Sequence, residues 1–152
     1  MANEAILSAG ATLTLAATGT TSSIADGGFA ECTDDTRTAS DNAGYPLGEF
    51  VFTTAAGGFS AAPTAGAVVN LYEQKIADGT NDAPDVDGNY KHDYIGTFAV
   101  DPADAQQRMA ITAPIYRQGA KYWVEWVDGG SGTASVDAGW ELTLTPVTYG
   151  TA

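Results

Sequence analysis

The first residues in this chain whose types and spacing suggest chemistry are the acids of one polar loop. In Ala77-Asp78-Gly79-Thr80-Asn81-Asp82-Ala83-Pro84-Asp85-Val86-Asp87-Gly88-Asn89, the carboxylates of Asp78, Asp82, Asp85 and Asp87 are hard oxygen donors of the kind Ca²⁺ takes. The spacing departs from the EF-hand calcium loop. The acids do not fall at alternate positions through the first half, and no bidentate Glu closes the motif. Asp, Asn and Gly also make turns, through Asx hydrogen bonds and tolerance of positive φ, so a solvated loop without metal is the expectation. Glu125 and Glu141 lie beside aromatic residues on strand-like runs, where the acid pair of a sugar-cleaving enzyme would sit. On outward strand faces they are ordinary surface charges, Glu125 near Lys121, and that reading is preferred. His92 is the one histidine and Cys32 the one cysteine, and no serine stands in a Gly-x-Ser-x-Gly frame. Gly129-Gly130-Ser131-Gly132 lacks the Lys and the strand–loop–helix context of a phosphate loop and reads as a hairpin tip. No catalytic, metal or cofactor-binding residue is therefore assigned, and the chain is expected not to be an enzyme.

Charge narrows the partners. Nineteen acids against six Lys plus Arg give a formal net charge of -13. A duplex-binding surface needs clustered cations to release counterions, so nucleic acid is not an expected partner. The same sign disfavours an anionic membrane surface. The stretch from Ala9 to Ala17 is too short and too interrupted to span a bilayer, and Met1–Leu7 has no basic n-region. The expectation is synthesis in the cytoplasm without a secretion signal.

The elements that must position any site read as strands. Lys121-Tyr122-Trp123-Val124-Glu125-Trp126-Val127 and Gly139-Trp140-Glu141-Leu142-Thr143-Leu144 alternate and are rich in aromatic and β-branched residues. Tyr122, Val124 and Trp126 would share one face, and Trp140, Leu142 and Leu144 another. Trp123 would point the opposite way, free to stack on a sugar ring, anchor a protein interface or lie under a crossing loop. Further strands are expected over Ala11–Ala16, around Ile24 or Phe29, and over Leu47–Thr54, Ala67–Glu73, Tyr94–Val100 and Arg108–Thr112. Thr33–Gly44 reads as a surface loop, and Asp101–Gln107 as one helical turn with Asp101 as N-cap. The fold class is all-β: an antiparallel β-sandwich, jelly-roll-like, of about seven or eight strands. An extended N-terminal arm (residues 1–11) precedes the sandwich domain (12–146), and a short tail (147–152) follows it.

The order of elements adds a resemblance. Glu49-Phe50-Val51-Phe52-Thr53 leads to Ala67-Val68-Val69-Asn70-Leu71-Tyr72, then Tyr94-Ile95-Gly96-Thr97-Phe98, Lys121-Tyr122-Trp123-Val124 and Trp140-Glu141-Leu142-Thr143-Leu144. This pattern resembles the jelly-roll capsid decoration (cement) proteins of tailed bacteriophages, over about Leu47 to Pro146. The resemblance implies a structural virion protein on the capsid exterior, without enzyme activity or cofactor. It further implies binding to major capsid protein subunits as a homo-oligomer, dimer or trimer. The contacts expected on this reading are Asn3, Glu4, Ile6 and Leu7, on an arm able to add a strand to a neighbour's edge, and Trp123. The alternative is a carbohydrate-binding jelly-roll module or a phage tail or fibre accessory protein, resting on Trp123 and the Asp78–Asp87 loop.

Overall fold

The computed structural model describes residues 5–37, 45–75, 84–91, 93–115, 120–130 and 134–151, without side-chain detail at 5–7, 36–37 and 149–151. These residues form nine strands. In the first sheet, β1 (Ala5–Ala9) and β2 (Leu13–Ala16) lie end to end along one side of β9 (Glu141–Thr151). On the other side of β9 lie β4 (Leu47–Thr53) and then β7 (Arg108–Pro114). The second sheet runs β3 (Phe29–Arg37), β8 (Ala120–Val127), β5 (Val68–Lys75), β6 (Tyr94–Ala99). Every described pairing is antiparallel. From β2 onward the chain changes sheet at every step except β5 to β6, which is the path of a jelly roll. The protein is an all-β antiparallel sandwich.

Period-two alternation builds the core. Phe50 and Phe52 of β4 and Leu142 and Leu144 of β9 face Val69 and Leu71 of β5 and Tyr122, Val124 and Trp126 of β8, and all nine are buried. Phe50 meets Tyr122 edge-on at 5.3 Å, and Phe52 stacks on Trp140 at 5.4 Å. The inward positions read from the sequence thus hold. The connection between the two aromatic strands does not: β8 and β9 lie in opposite sheets, so no hairpin joins them. Trp126 Nε1 donates to the Ala134 carbonyl and Trp140 Nε1 to that of Ser22.

Four further expectations change. Of the loop expected over Thr33–Gly44, residues 38–44 lie outside the described residues, and Thr33–Arg37 continues β3. Its polar composition suits an edge strand, and two of its acids close the flank of the sandwich. Asp35 Oδ2 accepts from Thr14 N at 2.9 Å and Asp34 Oδ2 from Ala17 N at 2.8 Å, so carboxylates serve β2 where no strand does. Residues 147–151 are not a tail, because β9 runs through Pro146 to Thr151. Proline lacks an N–H, and the partner strand is broken opposite it. Gly10, Ala11 and Thr12 bridge the step between Ala9, opposite Val147, and Leu13, opposite Leu144. The described part of the arm is likewise a strand, with Ala5–Ala9 paired to β9 of its own chain. Finally, Asp101–Gln107 makes no helical turn. The Gln107 side chain bonds Asp101 N, Asp101 O and Ala103 O and shapes an irregular loop instead.

Candidate functional site

The outer face of the second sheet gathers most of the chemistry. Alternation directs Phe29 of β3, Trp123 and Glu125 of β8, and Asn70 and Tyr72 of β5 away from the core. On β6 plain alternation would set Tyr94 with Phe98, which is buried. A bulge intervenes: Leu71 lies opposite Gly96 but Tyr72 opposite Tyr94, so Ile95 is an extra residue. The bulge turns Tyr94 onto the outer face beside Thr97. Gly96 is the sequence signal for it, since a Cβ there would lie 2.6 Å from Ile111 Cδ1.

These side chains form one hydrogen-bonded chain. Tyr94 Oη contacts Thr97 Oγ1, Thr97 Oγ1 donates to Asn70 Oδ1 at 2.8 Å, and Asn70 Nδ2 donates to Glu125 Oε2 at 3.1 Å. Tyr72 Oη donates to the same Glu125 oxygen at 2.7 Å, and Lys91 Nζ bonds Glu125 Oε1. Burial alone would push the Glu125 carboxyl up. The donors Lys91, Tyr72 and Asn70 together outweigh it and hold the group below the usual glutamate range. Burial, with the carboxylate alongside, pushes the Tyr72 phenol up, so it stays a donor. The ring of Tyr72 packs against Tyr94 at 5.9 Å and against Phe29 at 6.3 Å, and Lys91 sits over Phe29 at 5.3 Å.

A strap lies over the lower part of this face. Residues 84–91 return across the sheet after β5, with Val86 buried and Asp85 Oδ1 accepting from Gln74 Nε2 at 3.1 Å. Asp93, at φ 63°, turns the strap back into β6 and accepts from Glu73 N. Tyr90 at 47 % and Tyr94 at 53 % are the large apolar side chains most exposed among the described residues, one on the strap and one at the sheet's edge.

The residues singled out by sequence fall in different places. Asp85 and Asp87 belong to the strap. Asp87 Oδ1 accepts from the backbone N–H of Asn89 and Tyr90, an Asx turn, while Asp78 and Asp82 lie outside the described residues. No group of three or more metal-capable side chains occurs among the described residues. Glu125 is not a surface charge near Lys121: it is buried and bound to Lys91, while Lys121 pairs with Glu31 at 3.4 Å. Glu141, on the opposite sheet, is not brought to Glu125. Trp123 is half-buried, and its Nε1 donates to Gln74 Oε1 at 2.7 Å. Cys32 is buried, and burial raises its thiol well above the ordinary range. His92, Asn3 and Glu4 lie outside the described residues, and Ile6 and Leu7 are placed in β1 by their backbone pairing with Gly150 and Tyr149. Sequence reasoning missed Asn70, Tyr72, Lys91, Tyr94 and Thr97, since only the pairing of three strands shows that they meet.

A recess of about 290 Å³ opens beside β3, between the Thr20–Ser23 turn, Asp34 and Trp140. Both acids that line it have partners, Glu31 in Lys121 and Asp34 in the fold itself. Asp34 accepts from Thr20 Oγ1 at 2.6 Å as well as from Ala17 N, and these bonds hold its carboxyl below the usual aspartate range.

No protein-family model matches the chain, and no curated protein matches it. Among solved structures it is similar to the carbohydrate-binding module CBM6cm-2 from Cellvibrio mixtus lichenase 5A, solved in complex with cellotriose, at 13% identity and a TM-score of 0.40 over 97% of this chain and 98% of that one.

Proposed function

We propose that this protein is a non-catalytic carbohydrate-binding domain whose ligand lies on the outer face of the β3-β8-β5-β6 sheet. The observation that carries the reading is the exposed Tyr94 at the end of the polar row Thr97, Asn70 and Glu125, with Tyr90 exposed on the strap. Sugar rings offer apolar C–H faces rimmed by hydroxyls. A site for them needs an aromatic surface to cover the face and fixed polar groups to meet the rim. Here Tyr94 supplies the ring and its Oη a polar group, held by the row behind it on strands of one sheet, so little ordering entropy opposes binding. The net charge of -13 disfavours anionic polysaccharides and points to neutral ones.

The capsid-decoration reading draws on the order of sequence elements, whereas the sugar-binding reading has a surface to name. The test is a glycan array of neutral and anionic polysaccharides probed with the wild type and with Tyr94→Ala. Binding to neutral glycans that falls at least about tenfold in the variant supports the proposal. An array without signal removes it and returns the protein-binding reading to the front.

A further inference from the structure

The hydrogens of the outer-face network have one consistent direction, and that direction sets what its exposed end offers a ligand. Glu125 fixes that direction. Its carboxylate receives Lys91, Tyr72 and Asn70, and an ionised carboxylate only accepts. The Asn70 amide must therefore turn its NH₂ toward Glu125, which leaves Oδ1 facing Thr97. An amide oxygen also only accepts, so the Thr97 hydroxyl hydrogen is spent on Asn70. Thr97 then meets Tyr94 as an acceptor, and the phenolic hydrogen of Tyr94 is spent on Thr97. Along the row from Tyr94 through Thr97 and Asn70, each bonded hydrogen points inward to the buried charge. What remains on Tyr94, itself about half exposed, is acceptor capacity at Oη.

Resting on the sugar-binding reading, we propose that Tyr94 Oη is a specificity-determining acceptor. It takes a hydrogen bond from a free glycan hydroxyl and rejects the same position when that hydroxyl is removed, methylated or acylated. The occupant is then a neutral sugar with a donor at that position. A group that can only accept, such as an ether or ester oxygen, faces lone pair against lone pair there. Thr97 does not touch the sugar in this scheme. It is a positioning residue, acting by holding the Tyr94 hydrogen away from the ligand.

The test follows array binding with calorimetric titrations of methyl glucoside, methyl galactoside and methyl mannoside, and of their mono-deoxy and mono-O-methyl derivatives. In the wild type, one position is expected to lose about three- to tenfold in affinity on deoxygenation or methylation, the loss of one hydrogen bond. In Tyr94→Phe, which keeps the ring, the parent glycoside weakens by about that factor and the penalty at that position disappears. Thr97→Val is the sharper variant. It frees the Tyr94 hydrogen to donate outward, so the O-methyl penalty at that position should shrink while the deoxy penalty remains, a split that mere loosening of the face would not produce. Melting curves of both variants report whether the fold is kept. Equal penalties in wild type and both variants overturn the proposal, as does the absence of any binding by the three glycosides when the array is positive. A blank array overturns both this proposal and the sugar-binding reading.

Discussion

Replacing Glu125 should reveal how much of the sheet's outer face depends on one buried charge. Glu125→Ala leaves the Tyr72 hydroxyl and the Asn70 amide without their acceptor and Lys91 without its counter-charge. The Glu125 side chain is 4% exposed and that of Lys91 45%, so Lys91 recovers hydration while Tyr72 does not. Removing one member of a buried ion pair costs about 3–5 kcal/mol, most of it from donors left unsatisfied. For a domain of this size that is a fall of roughly 6–20 °C in Tm. Glu125→Gln keeps one acceptor for Tyr72 and Asn70 and loses mainly the contact with Lys91, at about 1 kcal/mol. The folded carboxyl is held below its ordinary range. Its charge-dependent stabilisation is therefore complete above the unfolded value, near pH 4.5, and fades as the pH falls through the lower folded value. Denaturant unfolding from pH 7 to pH 3 should thus show the gap between wild type and Glu125→Gln narrowing toward the acid end. A Glu125→Ala protein within about 0.5 kcal/mol of wild type, or a Gln variant whose gap is the same at every pH, would refute the reasoning.

Three other outcomes are expected. Gly48→Ala should destabilise by about 1–3 kcal/mol in urea, because the new Cβ would lie 2.5 Å from Leu144 Cδ1 in a filled core. Cys32 should resist thiol reagents in the native state and react fully once unfolded in guanidinium, since it is buried with its thiol raised; native labelling at the unfolded rate would contradict the buried placement. The double variant Asp34→Ala, Asp35→Ala should speed hydrogen exchange at Thr14 and Ala17 while Leu142 and Leu144 keep their protection; uniform loss across the sheet would show that the clamps act on the whole fold.

The core was legible because alternation is a local property. Phe50, Phe52, Val69, Leu71, Tyr122, Val124 and Trp126 face inward as their spacing requires. Connectivity was less legible. The Gly-rich run after β8 carries turn residues, yet whether a turn closes a hairpin or crosses between sheets depends on which strand accepts the next one. The outer-face network was hidden for a further reason: it joins Asn70, Thr97 and Glu125 through register, and Tyr94 enters it only by way of the bulge at Ile95. The Thr33–Arg37 part of the edge strand β3 reads as loop in the sequence because propensity takes Asp and Thr as turn formers. In place, the same carboxylates supply acceptors that a neighbouring strand would otherwise provide.

The pairing at the ends of the chain has its own consequence. Strand β4 accompanies β9 only as far as Leu47 opposite Val147, whereas β1 continues to Ala5 opposite Thr151. Residues 148–151 therefore have a single lateral neighbour among the described strands, and the two segments form a ribbon extending past the body of the sheet. Two-stranded ribbons are marginal by themselves. The opening and closing segments of the chain should unzip together and re-form together, while the layers behind them stay shut.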